Sequence, residues 1–103
     1  MSKFDFSDLY PKYPGLISAM LGEFTSHQFI LKLAQENQKE YVQALYAYRD
    51  VEREGTPAPF MFVHREISRG LKNFPELVEK IDDVSSVDIF GNANGCPLWR
   101  KLK

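Results

Sequence analysis

The sequence is poor in the residues that most often announce a function. It has one cysteine, Cys96, so it can form no internal disulfide and offers no cysteine-based zinc site. The lone thiol fits a reducing compartment, and a cytoplasmic location is the expectation. Apolar runs are short, as in Phe60–Val63, and nothing approaches the ~20 residues that cross a bilayer. No membrane role is therefore expected. The opening Met-Ser-Lys-Phe-Asp-Phe has no basic segment followed by an apolar one, so no secretory leader is expected either. No Gly-rich phosphate loop, Gly-x-Ser-x-Gly or His-Glu-x-x-His is present, which argues against an enzyme and gives no reason to expect a cofactor. His27 and His64 have no metal partners at ligand spacing. The acid pairs Asp82-Asp83 and Glu52/Glu54 read as solvent-facing rather than catalytic. No repeat or low-complexity tract occurs. Neither sign of charge dominates, since 13 basic and 14 acidic side chains leave a net charge of −1.

What is present is a hydrophobic fraction of 44% with eight Phe and five Tyr in 103 residues, too apolar for a disordered chain and enough for one core. Residues 1–15 carry Phe4, Phe6, Tyr10 and Tyr13 among two prolines and a glycine. They read as an irregular arm anchored by its aromatics, followed by a short helix over Leu16–Leu21 that Gly22 ends. Gly22–Thr25 reads as a very short strand or a turn. Thr25 or Ser26 then caps a helix whose apolar set is Phe29, Ile30, Leu33 and Ala34. Asn37 divides this set from Tyr41, Val42, Leu45 and Tyr48, which gives either two helices meeting there or one long helix with a polar middle. Residues 50–59 read as a loop.

A further helix starts near Pro59 or Phe60, with Val63, Ile67, Leu71 and Phe74 on its apolar face. Pro75 stops or kinks it, and Leu77, Val78 and Ile81 continue a helical stripe that Asp82-Asp83 closes. From Val84 the period changes to two. Gly91–Gly95 is the strongest turn signal, and Leu98, Trp99 and Leu102 supply a return strand in which Pro97 suits an edge or a strand start. The fold class expected is mainly α with a C-terminal β-hairpin (α+β), divided as an arm and short helix over 1–21 and a single folded unit over 22–103.

The order of elements, the segment Phe24-Thr25-Ser26-His27-Gln28-Phe29-Ile30 opening a helix, and the hairpin after the third helix together resemble a winged helix-turn-helix domain over roughly residues 22–102. The long second helical region and the long 50–59 loop depart from that family. The resemblance implies that the third helix enters the major groove of duplex DNA and that the hairpin touches backbone or minor groove. At 100° per residue the apolar face of Val63–Phe74 centres near 30°, while Ser68, Lys72, Arg65 and Arg69 fall between about 140° and 240°. DNA contacts are therefore expected from His64, Arg65, Ser68, Arg69 and Lys72, from Asn92 and Asn94 at the hairpin tip, and from Arg100, Lys101 and Lys103 after it. Gly70, on the apolar side, implies a close helix crossing, as in a tight helix-turn-helix pair.

Two functions follow. One is a small transcriptional regulator or mobile-element protein that binds duplex DNA. The other is a protein–protein adaptor or inhibitor on the same scaffold, which the net charge of −1 would suit. Tyr41, Leu45, Tyr46 and Tyr48 mark a candidate interface, for a homodimer or another protein, unless the N-terminal arm covers them.

Overall fold

A computed structural model describes residues 4–53, 55–57 and 59–102. Glu54 and Lys103 lie outside the described residues. The aromatic-rich beginning is helical rather than irregular. A 3-10 helix runs over Phe6–Lys12 and leads directly into α1, Tyr13–Ser18. The prolines do not break it: Pro11 is accommodated within the 3-10 helix, and Pro14 sits in the first turn of α1, where a missing amide costs nothing. Asp5 caps the 3-10 helix by accepting the Ser7 amide at 3.0 Å, and these bonds from Ser7 hold its carboxyl below the ordinary value. Helix α1 closes at Ala19, three residues before Gly22.

Strand β1 is Glu23–Thr25. Helix α2 follows over Ser26–Glu36 and opens on a capping box. The Thr25 hydroxyl accepts the Gln28 amide at 3.2 Å, and the Gln28 side chain accepts the Thr25 amide at 2.8 Å. Asn37 leaves helical geometry, so the region is two helices, with α3 over Gln38–Ala47. The stretch expected as a loop holds a small hairpin, β2 (Glu52–Arg53) with β3 (Thr56–Pro57). Helix α4 is Pro59–Gly70, with one 3-10 turn, Leu71–Asn73, after it.

No helix follows Pro75. The amides of Leu77 and Val78 both bond to the Phe74 carbonyl, and the chain enters β4, Val78–Val87, at once. The spacing of Leu77, Val78 and Ile81 mimics a helix because a bulge lies between Lys80 and Asp82. Strand β5, Ala93–Lys101, pairs antiparallel with β4 on one side and with β1 on the other, giving the order β1-β5-β4. Pro97 thus lies in the central strand, but one residue beyond the 98–100 stretch that β1 pairs, so its missing amide costs no bond there. Asp82 and Asp83 lie mid-strand on β4, the sheet edge, where charge discourages pairing with a second chain.

The hairpin turns over Asp88–Asn92, earlier than Gly91–Gly95. The Asp88 carboxylate accepts the amides of Phe90 (2.9 Å) and Asn92 (3.0 Å), and Gly91 takes a φ of +88°. That positive φ suits glycine, and Gly95 is left inside β5.

The core gathers Tyr13, Phe24, Phe29, Leu33, Val63, Ile67 and Leu71, all almost fully buried. Phe74 is only half-buried and stacks on Tyr13 at 5.4 Å. Tyr13 also donates its hydroxyl hydrogen to the Ile67 carbonyl at 2.6 Å, and burial raises its pKa well above the ordinary phenol value. Gly70 is where this packing demands glycine. A Cβ there would stand 2.6 Å from the Tyr13 hydroxyl oxygen. The close approach is made by an N-terminal side chain rather than by a second helix of a helix-turn-helix pair.

Candidate functional site

A cleft of about 720 Å³ opens between the outer face of α4, the head of α2 and the β4–β5 hairpin. Sequence spacing builds its α4 wall. Met61, Arg65, Ser68, Arg69 and Lys72 follow one another at intervals of three, four or one and therefore share a helical face. Lys80 of β4 and Asn94–Pro97 of β5 stand opposite, with Ser26, His27, Ile30 and Trp99 also lining the space.

Four cations line this cleft, Arg65, Arg69, Lys72 and Lys80, against two carboxylates, Glu52 and Asp88. Arg69 pairs with Glu66 at 3.1 Å and Arg65 lies 3.9 Å from the same carboxylate. Lys80 pairs with Asp83 at 3.1 Å. Lys72 has no ion pair among the described residues. Exposed pairs of this kind contribute ~0–1 kcal/mol, so an incoming anion can displace them at little cost.

Beneath the cations lies a polar chain. The Trp99 indole donates to the Ser26 hydroxyl at 2.8 Å, and Ser26 shares a hydrogen bond of 2.6 Å with Ser68. The hydroxyl of Ser68 is thus engaged within the protein, although its side chain reaches the cleft. The His27 amide donates to the buried Cys96 sulfur at 3.4 Å, while His27 Nδ1 is buried with no partner. In the middle of α4, His64 lies nearly parallel to Phe90 (5°, 5.7 Å) and to Tyr41 (23°, 5.7 Å), and its Nε2 bonds the Tyr41 hydroxyl. Phe60 closes the group 4.7 Å from Phe90. Burial lowers the His64 pKa to about 4, against a raising effect of the Asp88 charge. Burial, then the Asp88 charge, pushes Tyr41 up to about 12. Burial acts to raise the Asp88 carboxyl, but the Asn92 and Phe90 amides and the two histidines outweigh it and hold it low.

The expected DNA contacts divide on this geometry. Arg65, Arg69 and Lys72 are exposed on the cleft wall. His64 is not available to a phosphate, because its ring is buried between aromatic neighbours. Asn92 is exposed in the turn, and Asn94 lies in β5 with its amide 3.5 Å from Asp88. Arg100 and Lys101 do not line the cleft. Arg100 pairs across the hairpin with Glu79 at 3.1 Å, and the Lys101 ammonium donates to the carbonyls of Ser18, the last residue of α1, and Met20 just past it. Among the interface candidates, Tyr41 is buried and bonded to His64, which removes it from any surface. Leu45 is half-buried against the core, and Tyr48 stacks on Phe6 at 5.8 Å and donates to the Phe4 carbonyl. The N-terminal arm covers that tyrosine. Tyr46 stays 65% exposed, with the Arg49 guanidinium 4.2 Å over its ring.

Lys80 and Phe90 carry no signal in the sequence as read, since Lys80 falls within an apparent helical stripe and Phe90 within an apparent strand. Extending the period of two back to Val78 would have placed Lys80 on the hairpin. Among the described residues, no cluster of His, Cys, Asp or Glu could hold a metal, and no helix is long and apolar enough to cross a membrane. Compared with known proteins, the chain matches no family model, no curated protein and no solved structure.

Proposed function

We propose that this is a small winged-helix protein that binds duplex DNA, as a transcriptional regulator or a mobile-element protein, with α4 as recognition helix and β4–β5 as wing. The observation that carries the reading is the cationic cleft, in which Arg65 and Arg69 of α4 and Lys72 of the 3-10 turn after it face Lys80 of the hairpin. The sheet order supports it, since β1 before α2 pairs with β5 and so holds the hairpin against α2, across the cleft from α4. Helix α3 and the β2–β3 hairpin are additions between α2 and α4. Arg65 and Arg69 of α4 and Lys72 of the 3-10 turn after it extend over about 10 Å, a length matching about three base-pair steps of ~3.4 Å measured along the duplex axis. Lys72 and Lys80 are the phosphate contacts in this mechanism. Arg65 and Arg69 exchange Glu66 for phosphate or for a guanine edge, which a guanidinium binds with two parallel bonds.

Fluorescence anisotropy with a mixed-sequence duplex, titrated over a range of salt, tests the reading. The logarithm of affinity should fall linearly with the logarithm of salt, and Lys72→Ala should flatten that slope by about 0.9. No affinity at low salt rejects the reading.

One observation favours a protein partner instead. Val42 and Tyr46, one turn apart on α3, are 60% and 65% exposed. An adaptor or a homodimer would use that face. Light scattering giving a mass near 11.9 kDa excludes the dimer.

A further inference from the structure

We infer that the hairpin tip is a nucleobase-contacting site, in which Phe90 wedges against an unstacked base step of the duplex held along the cationic cleft. This rests on the DNA-binding reading and adds a contact that no charge supplies. The tip is the Asp88–Asn92 turn, and Phe90 is its exposed aromatic, 53% accessible. The ring is held rather than loose. Its amide is bound by the Asp88 carboxylate at 2.9 Å, one side lies near-parallel to His64, and Phe60 packs 4.7 Å away. Phe60 and His64 themselves line the cleft that carries Arg65, Arg69, Lys72 and Lys80. The aromatic group therefore adjoins the cations along α4, with Phe60 one turn and a residue ahead of Arg65. Charge complementarity selects the occupant. An anionic polymer that also presents flat apolar rings fits both features, and DNA is such a polymer. Apolar side chains inserted at a base step partly unstack it, and pyrimidine–purine steps yield most easily.

The test uses the full chain and an alternating T-A duplex about two helical turns long, with 2-aminopurine in place of central adenines. Wild-type protein should raise the 2-aminopurine fluorescence on binding, because unstacking relieves its quenching. Phe90→Ala should abolish that rise and weaken binding ~10-fold, with the salt slope unchanged because no phosphate contact is lost. Phe90→Tyr should restore both. Circular dichroism melting of each variant checks the fold, and the salt slope of Phe90→Ala shows whether the hairpin keeps its place beside the cations once the ring over His64 is gone. Lys72→Ala provides the contrast, flattening the slope while keeping the fluorescence rise. The inference is overturned if wild-type protein binds with no rise, if Phe90→Ala binds as wild type does, or if Phe90→Ala also flattens the slope. In the first two cases the DNA-binding reading survives. If wild-type protein binds no duplex, both fall together.

Discussion

The two faces of α4 are held by different chemistry. Inward, Val63, Ile67 and Leu71 are completely buried with Tyr13 and Phe29, and apolar area does most of the work. Toward the cleft and hairpin, His64 and Ser68 meet Tyr41, Phe90 and Ser26 through directed contacts, and the indole of Trp99 completes the chain. Apolar packing is generous in stability and indifferent to direction. Hydrogen bonds add less net free energy but fix where the partner stands. The inner face thus secures the fold, while the outer one sets the position of the hairpin relative to the cations.

The largest effect should come from the inner face. Ile67→Ala should destabilise by ~2–5 kcal/mol in denaturant melts, because the site is fully enclosed and cannot collapse cheaply. A loss below ~1 kcal/mol would show that the inner face is not the main core and break the contrast.

How far this was legible follows the same division. Thr25, Phe29, Ile30 and Leu33 declare α2, and Val63, Ile67 and Leu71 declare α4, because a cap and a 3.6-residue period are local signals. Gly70 announces crowding but not its source, since the neighbour is the Tyr13 side chain and not a crossing helix. Long-range events are hidden. The bulge after Lys80 disguises the start of β4, and the Asp88 carboxylate moves the turn away from the Asn-Gly cluster. The inward turn of His64 depends on Tyr41 and Phe90, 23 and 26 positions away, so no local pattern marks it. The cationic wall on α4 is legible as a helical face, but its opposite wall is not, because the strand bearing Lys80 reads as helix.

The second effect is pH-dependent and belongs to the outer face. His64 has a folded pKa near 4 against an ordinary 6.5. Between those values the unfolded chain takes up a proton that the folded chain refuses. The stability from the neutral ring is therefore complete above pH 6.5 and is lost as pH falls toward 4. The full shift corresponds to ~3 kcal/mol, and partial access of water reduces it to ~2 kcal/mol. Denaturant midpoints measured from pH 7 to pH 4 should fall accordingly. His64→Phe keeps a ring against Phe90 and should flatten the profile over that window. An unchanged slope in His64→Phe would assign the acid sensitivity to other groups.

The smallest effect probes the polar chain itself. Ser26 is buried, accepts from the Trp99 indole and bonds Ser68. Replacing it with alanine leaves volume almost unchanged but strands the indole N–H in an enclosed site, at a cost of ~1–2 kcal/mol. The Ser68 hydroxyl, nearer the open cleft, can turn to water and should add little. A double-mutant cycle separates the bond from packing. Trp99→Phe removes the N–H along with some ring area, so in the Ser26→Ala background only the area remains to be lost. The second substitution should therefore cost less there than in the wild-type chain, by ~1 kcal/mol. Strict additivity would mean that the Ser26–Trp99 contact contributes only as packing. The two faces of α4 would then differ in composition but not in the kind of force that holds them.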